Sequence, residues 1–466
     1  MTELVFYGAT DGVTGSAYII QTSKSKILIE CGLIQGSREE EQYNRSSFPF
    51  TPADLDAVVL SHAHLDHSGR LPKLISEQCN APIFMTLATY ELLEIMLKDA
   101  AFIEQRDTEW ENKRRSQKGG DKILPLFTIE DVELTLKNCQ KFEYRQRIQL
   151  TEDVELRFSD AGHILGSAIV EIFIHENDKV KKLVFSGDLG NGYTALLRDP
   201  KTIGNADILL LESTYGDRNH RPMEDTLLEL EDIISNAFKD NGNILIPAFA
   251  VGRTQEIIFR LGELYQSGKL QHQAVYLDSP MAIAATEVYE RYHHIFSGED
   301  KDILLRSNSA SLDKFLPVLH YSRTPEESIM LNSIQSGAII IAGSGMCNGG
   351  RIRHHFKHNL HKKGAHVIIV GFQAKGTPGR ALVDGAKTLR IGNEELVVRA
   401  NIHTLGGFSA HADQSQLLDW VSCFKAPRPD IYLVHGENDA KMILRKHLLE
   451  KNLKVTIPKY GQRITI

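Results

Sequence analysis

His62-Ala63-His64-Leu65-Asp66-His67 follows directly on Ala57-Val58-Val59-Leu60, and the junction of these two runs decides how the chain is read. The apolar run predicts a buried strand, so Ser61 onward is the loop at its carboxyl end, where α/β folds build their sites. His62 and His64, two residues apart on extended backbone, can put their imidazoles on one metal ion, while Asp66 and His67 turn toward a neighbouring position. One hexapeptide therefore begins two coordination spheres. Solvated loop histidines would be the plain alternative if the hexapeptide stood alone.

Three other stretches share its grammar. Leu156-Arg157-Phe158-Ser159 leads into Asp160-Ala161-Gly162-His163, Leu183-Val184-Phe185 into Ser186-Gly187-Asp188, and Ile431-Tyr432-Leu433-Val434 into His435-Gly436-Glu437. Each is a strand, then a ligand-type residue, with glycine where backbone must approach closely. Such a set points to a metal centre assembled from the ends of several strands.

The motifs His62-X-His64-X-Asp66-His67, Gly162-His163, Gly187-Asp188 and Val434-His435-Gly436 resemble the metallo-β-lactamase superfamily. Leu211-Glu212-Ser213-Thr214, Phe408-Ser409-Ala410-His411 and His435 resemble the further motifs of its β-CASP nucleic-acid-processing branch. Ile246 to Arg253, Asp278-Ser279-Pro280-Met281-Ala282, Gly343-Ser344-Gly345-Met346 and Gly376-Thr377-Pro378-Gly379-Arg380 match as well, so the resemblance covers nearly the whole chain. It implies an α/β fold: a metallo-β-lactamase αββα sandwich with an inserted α/β β-CASP domain. The expected boundaries are 1–212 for the first part of the metal-binding domain, 213–404 for the insertion and 405–466 for the return. Within the insertion, Thr226 to Phe238 reads as an amphipathic helix, Asn243 to Ile246 as a strand and Gln255 to Tyr265 as a helix.

The resemblance also implies the chemistry. His62, His64 and His163 would hold one metal, Asp66, His67 and His435 the other, and Asp188 would bridge them. Nitrogen and oxygen ligation without thiolate suits two Zn²⁺ ions per protomer, with Mn²⁺ or Fe²⁺ as alternatives. Two ions about 3.5–4 Å apart can share a hydroxide as nucleophile. The catalytic residues implied are Asp66, Glu212 and His411, with His411 the general acid for a leaving 3′-oxygen and Glu212 its partner. Read without the family, Glu212 is an ordinary helix-cap carboxylate. The substrate implied is single-stranded RNA, cut internally as the favoured mode or from the 5′ end as the other. Arg253, Ser344, Gly349, Gly350, Arg351 and Arg380 are expected at substrate phosphates. Glu30 stands where the family usually has Asp supporting the ligands, and its extra methylene changes the reach of that support.

Length and composition are those of an ordinary multi-domain globular chain: 466 residues, 42% apolar and 24% charged. Its five cysteines are dispersed and absent from the ligand motifs, which predicts reduced, buried thiols. Met1 to Tyr7 opens as a strand without a basic, apolar leader, so neither export nor membrane insertion is expected, and the location expected is the cytoplasm. A net charge of -7 runs against phosphate binding, so local basic surface must supply it. The tract from Arg351 to Lys363, opened by Gly349-Gly350, is the candidate, since a helix starting there presents backbone N–H groups to a phosphate. Glu104 to Asp121 reads as an exposed charged helix ending in a loop, with no legible role.

Three other functions compete. A glyoxalase- or lactamase-type hydrolase shares the metal core but leaves Glu212, His411 and the long insertion unused. A non-catalytic scaffold would not keep every ligand. A DNA-directed β-CASP nuclease usually carries an apolar residue where His435 stands.

Overall fold

The computed structural model describes residues 2–306, 311–374 and 376–466; Met1, assigned to the first strand by sequence, lies outside them. The chain forms two compact units. One contains the residues through Gly192, then Asp199–Asn219 and His411–Ile466; the other contains Tyr193–Arg198 and His220–Ala410.

The first unit holds two seven-stranded sheets. One runs in the spatial order Arg463–Thr465, Glu3–Phe6, Tyr18–Gln21, Lys26–Ile29, Ala57–Val59, Ile83–Thr86 and Cys139–Phe142. The other runs Val455–Thr456, Asp430–Leu433, Ile208–Leu211, Lys179–Phe185, Ala168–Glu176, Val154–Asp160 and Ile148–Thr151. Period-two alternation sorts their side chains. Val170, Ile172, Phe185, Ile208 and Leu210 face inward onto Phe6, Tyr18, Ile27 and Val59 of the other sheet. Ile169, Val184, Leu209 and Leu211 face outward and are covered by Leu417, Trp420, Leu444 and Leu448 from the helices Gln414–Ser422 and Asn438–Glu450. On the far side, helix Leu87–Gln117 packs against the strands Ile83–Thr86 and Cys139–Phe142. The expected αββα sandwich is therefore present.

Register places the site. Phe185 pairs with Leu210, and Leu211 with Leu433, in parallel ladders, so Asp188, Glu212 and His435 leave the same sheet edge. The strand Ala57–Val59 ends just before His62, and Val154–Asp160 just before His163.

The second unit has an all-parallel six-stranded sheet: Leu319–Tyr321, Ala274–Asp278, Ala338–Ala342, Ile244–Pro247, His366–Ile369 and Asn401–Thr404. Its central strands are unbroken apolar runs, as burial on both faces requires. The elements anticipated here are observed as helix Met223–Lys239, strand Ile244–Pro247 and helix Arg253–Gln266. Among the described residues no helix is long and apolar enough to cross a membrane.

A buried carboxylate ties this unit together. Asp278, at the end of its strand, accepts hydrogen bonds from Arg351 Nη1 at 2.7 Å, His355 Nε2 at 2.6 Å and Ser328 Oγ at 2.7 Å. Burial pushes the Asp278 carboxyl up, but its hydrogen bonds from His355, Ser328 and Arg351 win and hold it far below the usual carboxylate range. A depressed folded-state value means stability that is complete above the unfolded value of about 4 and is lost as pH falls below it. Asp278→Ala should cost about 1.5–3 kcal/mol through the loss of hydrogen bonds to a charged group, and should flatten this acid limb. Chemical denaturation from neutral pH to pH 3 reads both effects; an unchanged limb in the variant removes Asp278 as its source.

Candidate metal centre

The hexapeptide folds as its spacing requires. Ser61 to His64 is non-helical, His64 is the residue before the short helix Leu65–Ser68, and this turn carries Asp66 and His67. Gly32 sits against it so closely that a Cβ would meet Asp66 O at 1.7 Å, so only glycine permits the approach.

Four overlapping groups of donor atoms result among the described residues: two add Glu30 or Glu212, and two are built from the expected ligands alone. In one, His64 Nδ1 lies 3.2 Å from both His62 Nε2 and His163 Nε2, and Asp188 Oδ2 lies 3.5 Å from His62 Nε2 and 3.6 Å from His163 Nε2. In the other, His67 Nε2 is 3.2 Å from His435 Nε2 and 3.4 Å from Asp188 Oδ2, while Asp66 Oδ2 is 3.3 Å from His435 Nε2 and 3.8 Å from His67 Nε2. Donors at the corners of a tetrahedron around Zn²⁺ are separated by about 3.3 Å, given Zn–N distances of about 2.0–2.1 Å. Both groups have about that spacing, and Asp188 Oδ2, a member of the first, lies 3.4 Å from His67 Nε2 of the second, with Asp188 Oδ1 3.4 Å from His435 Nδ1. His64 Nδ1 faces two other ring nitrogens, each at 3.2 Å, a convergence of three imidazole nitrogens on one point. Asp188 Oδ1 is buried without a hydrogen-bond partner among the described residues. Converging nitrogens around an under-satisfied buried carboxylate are what a pair of cations repairs, and the donor set fits zinc.

The supporting residues fix each ring. Glu30 is fully buried, with Oε1 accepting from Ser61 N–H at 2.6 Å and Oε2 at 2.7 Å from His67 Nδ1. Glutamate therefore reaches both the loop backbone and the ring, and leaves His67 Nε2 facing the donor group. Thr214, which the sequence reading quoted only as a neighbour of Glu212, proves to be a link: its Oγ1 donates to Glu212 Oε2 at 2.7 Å and lies 3.2 Å from His435 Nδ1. Ser61 Oγ does the same service for His62, 3.0 Å from its Nδ1. The signal for both was adjacency to a ligand motif, which does not say where a hydroxyl points.

Glu212 is not a helix cap. It follows the strand Ile208–Leu211, accepts from Leu189 N–H at 2.6 Å, and lies 3.3 Å from His411 Nδ1. Burial would pull the His411 imidazole down, but Glu212 first, then Asp188 and Asp66, carry it up to about 9. His411 stands beside the ligand groups, its ring centroid 4.5 Å from that of His163, and is in none of them.

The residues expected at phosphates all lie in the second unit and have partners there. Arg253 is buried against Glu256. Arg351 precedes the helix Ile352–Asn359 and gives Nη1 to Asp278 and Ser322 O and Nη2 to Arg323 O. Gly349 N–H donates to Ser344 Oγ at 3.2 Å, and Gly350 is left-handed and pressed on Gly343 O, closing a tight turn. Arg380 is paired with Asp384 one helical turn away, with 40% of its side chain exposed. All five cysteines are free; Cys423 is exposed, against the expectation of burial, while the other four are buried.

A family model described as the metallo-beta-lactamase superfamily matches residues 10–234, the Beta-Casp domain matches 254–382, and the Zn-dependent metallo-hydrolase RNA specificity domain matches 395–458. Ribonuclease TTHA0252 of Thermus thermophilus is 38% identical over 465 residues, covering 100% of both chains. An RNase J-like protein of Methanocaldococcus jannaschii is 30% identical over 94% of this chain and 93% of its own length. Transcription termination factor FttA of Methanosarcina mazei is 30% identical over 95% of this chain and 68% of its own. A protein of unknown function from Enterococcus faecalis shares the fold over 100% of both chains, with a TM-score of 0.56 at 13% identity.

Asp188→Ala removes a carboxylate whose Oδ2 lies within 3.6 Å of ring nitrogens of His62, His163 and His67. Elemental analysis of the purified variant should show loss of bound metal relative to the parent; retention of two tightly held ions would refute the bridging assignment.

Proposed function

The chain belongs to the metallo-β-lactamase superfamily, in the branch with an inserted Beta-Casp domain, and from that premise we propose that it is a metal-dependent ribonuclease. It hydrolyses phosphodiester bonds of single-stranded RNA, with His411 as proton donor to the leaving 3′-oxygen. The observation that carries this reading is His411, which belongs to none of the donor groups and lies 3.3 Å from the buried Glu212 carboxylate. A small-molecule hydrolase on the same metal core has no use for it.

The ligand roles proposed are His62, His64, His163 and Asp188 for one ion and Asp66, His67, His435 and Asp188 for the other. When bound, the metal pair supplies Lewis acidity that activates water and offsets charge developing on the phosphoryl oxygens. Glu212 holds His411 by Nδ1, so that Nε2 carries the proton passed to the leaving oxygen. Leu189 N–H and the Thr214 hydroxyl hold Glu212 in turn, which keeps the carboxylate from swinging toward the metal. RNA rather than DNA is favoured by the names of the relatives and by His435 at the last motif. Five free thiols favour a reducing compartment, and the cytoplasm is the location we propose.

For phosphates, the proposal keeps Arg253, Ser344, Gly349, Gly350, Arg351 and Arg380, with Arg380 the most open to solvent of the three arginines. Arg380→Ala should lower the slope of log affinity against log salt by about 0.7, the value for one single-strand phosphate contact. An unchanged slope would make Arg380 a surface residue only.

Purified protein of measured metal content, incubated with end-labelled single-stranded RNA and DNA of one sequence, tests the activity; product lengths distinguish internal cutting from 5′ trimming. His411→Ala should retain both ions and slow cleavage by ~10²–10⁴-fold, whereas His435→Ala should lose metal. On a substrate with sulfur at the bridging 3′ position, whose thiolate leaves without a proton, the His411→Ala defect should shrink and the His435→Ala defect persist. Equal rescue of both, or metal loss in His411→Ala, would exclude His411 as the acid.

A further inference from the structure

Helix Leu87–Gln117 is 31 residues long, about 46 Å, and only part of it is needed by the core. Its start is tied to the metal centre: Thr86 and Thr89 hydroxyls both donate to Gly166 O, at 2.7 and 2.8 Å, in the loop that carries His163. Its buried side chains run to Ala101, with Thr108 alone beyond. From there one flank is covered by the returning loop, through Asn112, which exchanges hydrogen bonds with the Ile123 backbone.

The opposite flank is bare and has a particular chemistry. At 100° per residue, Phe102, Ile103, Arg106, Trp110, Lys113 and Arg114 fall within an arc of about 120°. Phe102 and Trp110 are each 65% exposed and Ile103 41%. Between residues 102 and 117 no carboxylate enters that arc, but Glu109 and Asp107 flank its two edges, Glu111 lies further round, and Asp99, in line with the arc, acts on Arg106; the pairs of Asp107 and Glu111 with Arg106 and Arg114, at 3.4–3.5 Å, are exposed and contribute little. Arg114 lies 5.7 Å over the Trp110 ring. Rings for bases, alternating with cations for phosphates, are how sequence-tolerant single-strand sites are made.

We propose that this face of the long helix is an accessory platform for single-stranded RNA, holding the strand several nucleotides from the bond to be cut. Bases stack on Trp110 and Phe102, about 12 Å apart along the helix, and Arg106, Lys113 and Arg114 take the intervening phosphates. The proposal rests on the ribonuclease reading for the identity of the polymer. A second copy of the chain fits the face less well, because it would set three cations against three cations.

The chain has two tryptophans, and Trp420 is 6% exposed with its Nε1 bonded to Lys201 O, so Trp110 is the fluorophore an oligonucleotide can reach. Rapid mixing of metal-loaded protein with a 30-nucleotide single-stranded RNA should quench tryptophan emission before cleavage, and a hexamer should not. The advantage of the 30-mer over the hexamer in kcat/KM should fall about 10-fold in Trp110→Ala, as expected for one lost stacking contact. It should also lose salt dependence in the Arg106→Ala/Lys113→Ala/Arg114→Ala variant, with a slope lower by about 2. An undiminished length advantage in both variants overturns the platform, as does self-association or protein binding that Trp110→Ala abolishes while the length advantage stays. Hexamer cleavage by the parent protein tests the ribonuclease reading separately: its absence, together with absence of 30-mer cleavage, would sink that reading instead.

Discussion

Asp188 Oδ2 lies 3.4–3.6 Å from ring nitrogens of His62, His67 and His163, in a position that is 2% exposed. A carboxylate taken out of water among imidazoles is costly unless charge or hydrogen bonds compensate it. Here the compensation is built by strand register. The parallel ladders that align Phe185 with Leu210 and Leu211 with Leu433 fix where Asp188, Glu212 and His435 leave the sheet. Glu30, Ser61 and Thr214 then fix which nitrogen of each ring faces inward. Each layer of support serves one shared oxygen.

The proposed ligands were legible because their signal is local: His62, His163, Asp188 and His435 each follow an apolar strand by two or three residues, and His64, Asp66 and His67 continue the hexapeptide that His62 opens. Glu212 was legible as a partner of His411 only through family resemblance, since nothing in residues near 212 announces residue 411. The hydroxyls of Ser61 and Thr214 were not legible, because serine and threonine occur at most loop starts and only geometry tells which one meets a ring. Glu30 was visible as a departure whose effect depended on reach; its longer side chain spans to Ser61 N–H and His67 together.

Arg351, proposed at a substrate phosphate, also has a structural role that pattern reading does not show. Arg351 beside two glycines reads as a phosphate residue, yet its guanidinium is shared among Asp278, Ser322 O and Arg323 O. The acceptor, Asp278, is far from it in sequence and stands out there only as part of the motif Asp278-Ser279-Pro280-Met281-Ala282. A buried carboxylate that gathers Arg351, His355 and Ser328 is invisible to pattern reading because its members share no period or spacing. The basic tract thus begins with a residue that braces the second unit, and its exposed charge lies further on.

The order of the ligands along the chain has a consequence for synthesis. Five of the seven ligand residues are present once His163 has been made, Asp188 follows, and His435 comes only after the whole of His220–Ala410. The strand Asp430–Leu433 that carries it must pair with Ile208–Leu211 across that long loop, whose closure costs entropy before it is rewarded. A nascent chain therefore exposes an incomplete centre for most of its elongation, and the proposed general acid His411 is equally late. An enzyme that cuts RNA is assembled only when its own message has been almost fully read.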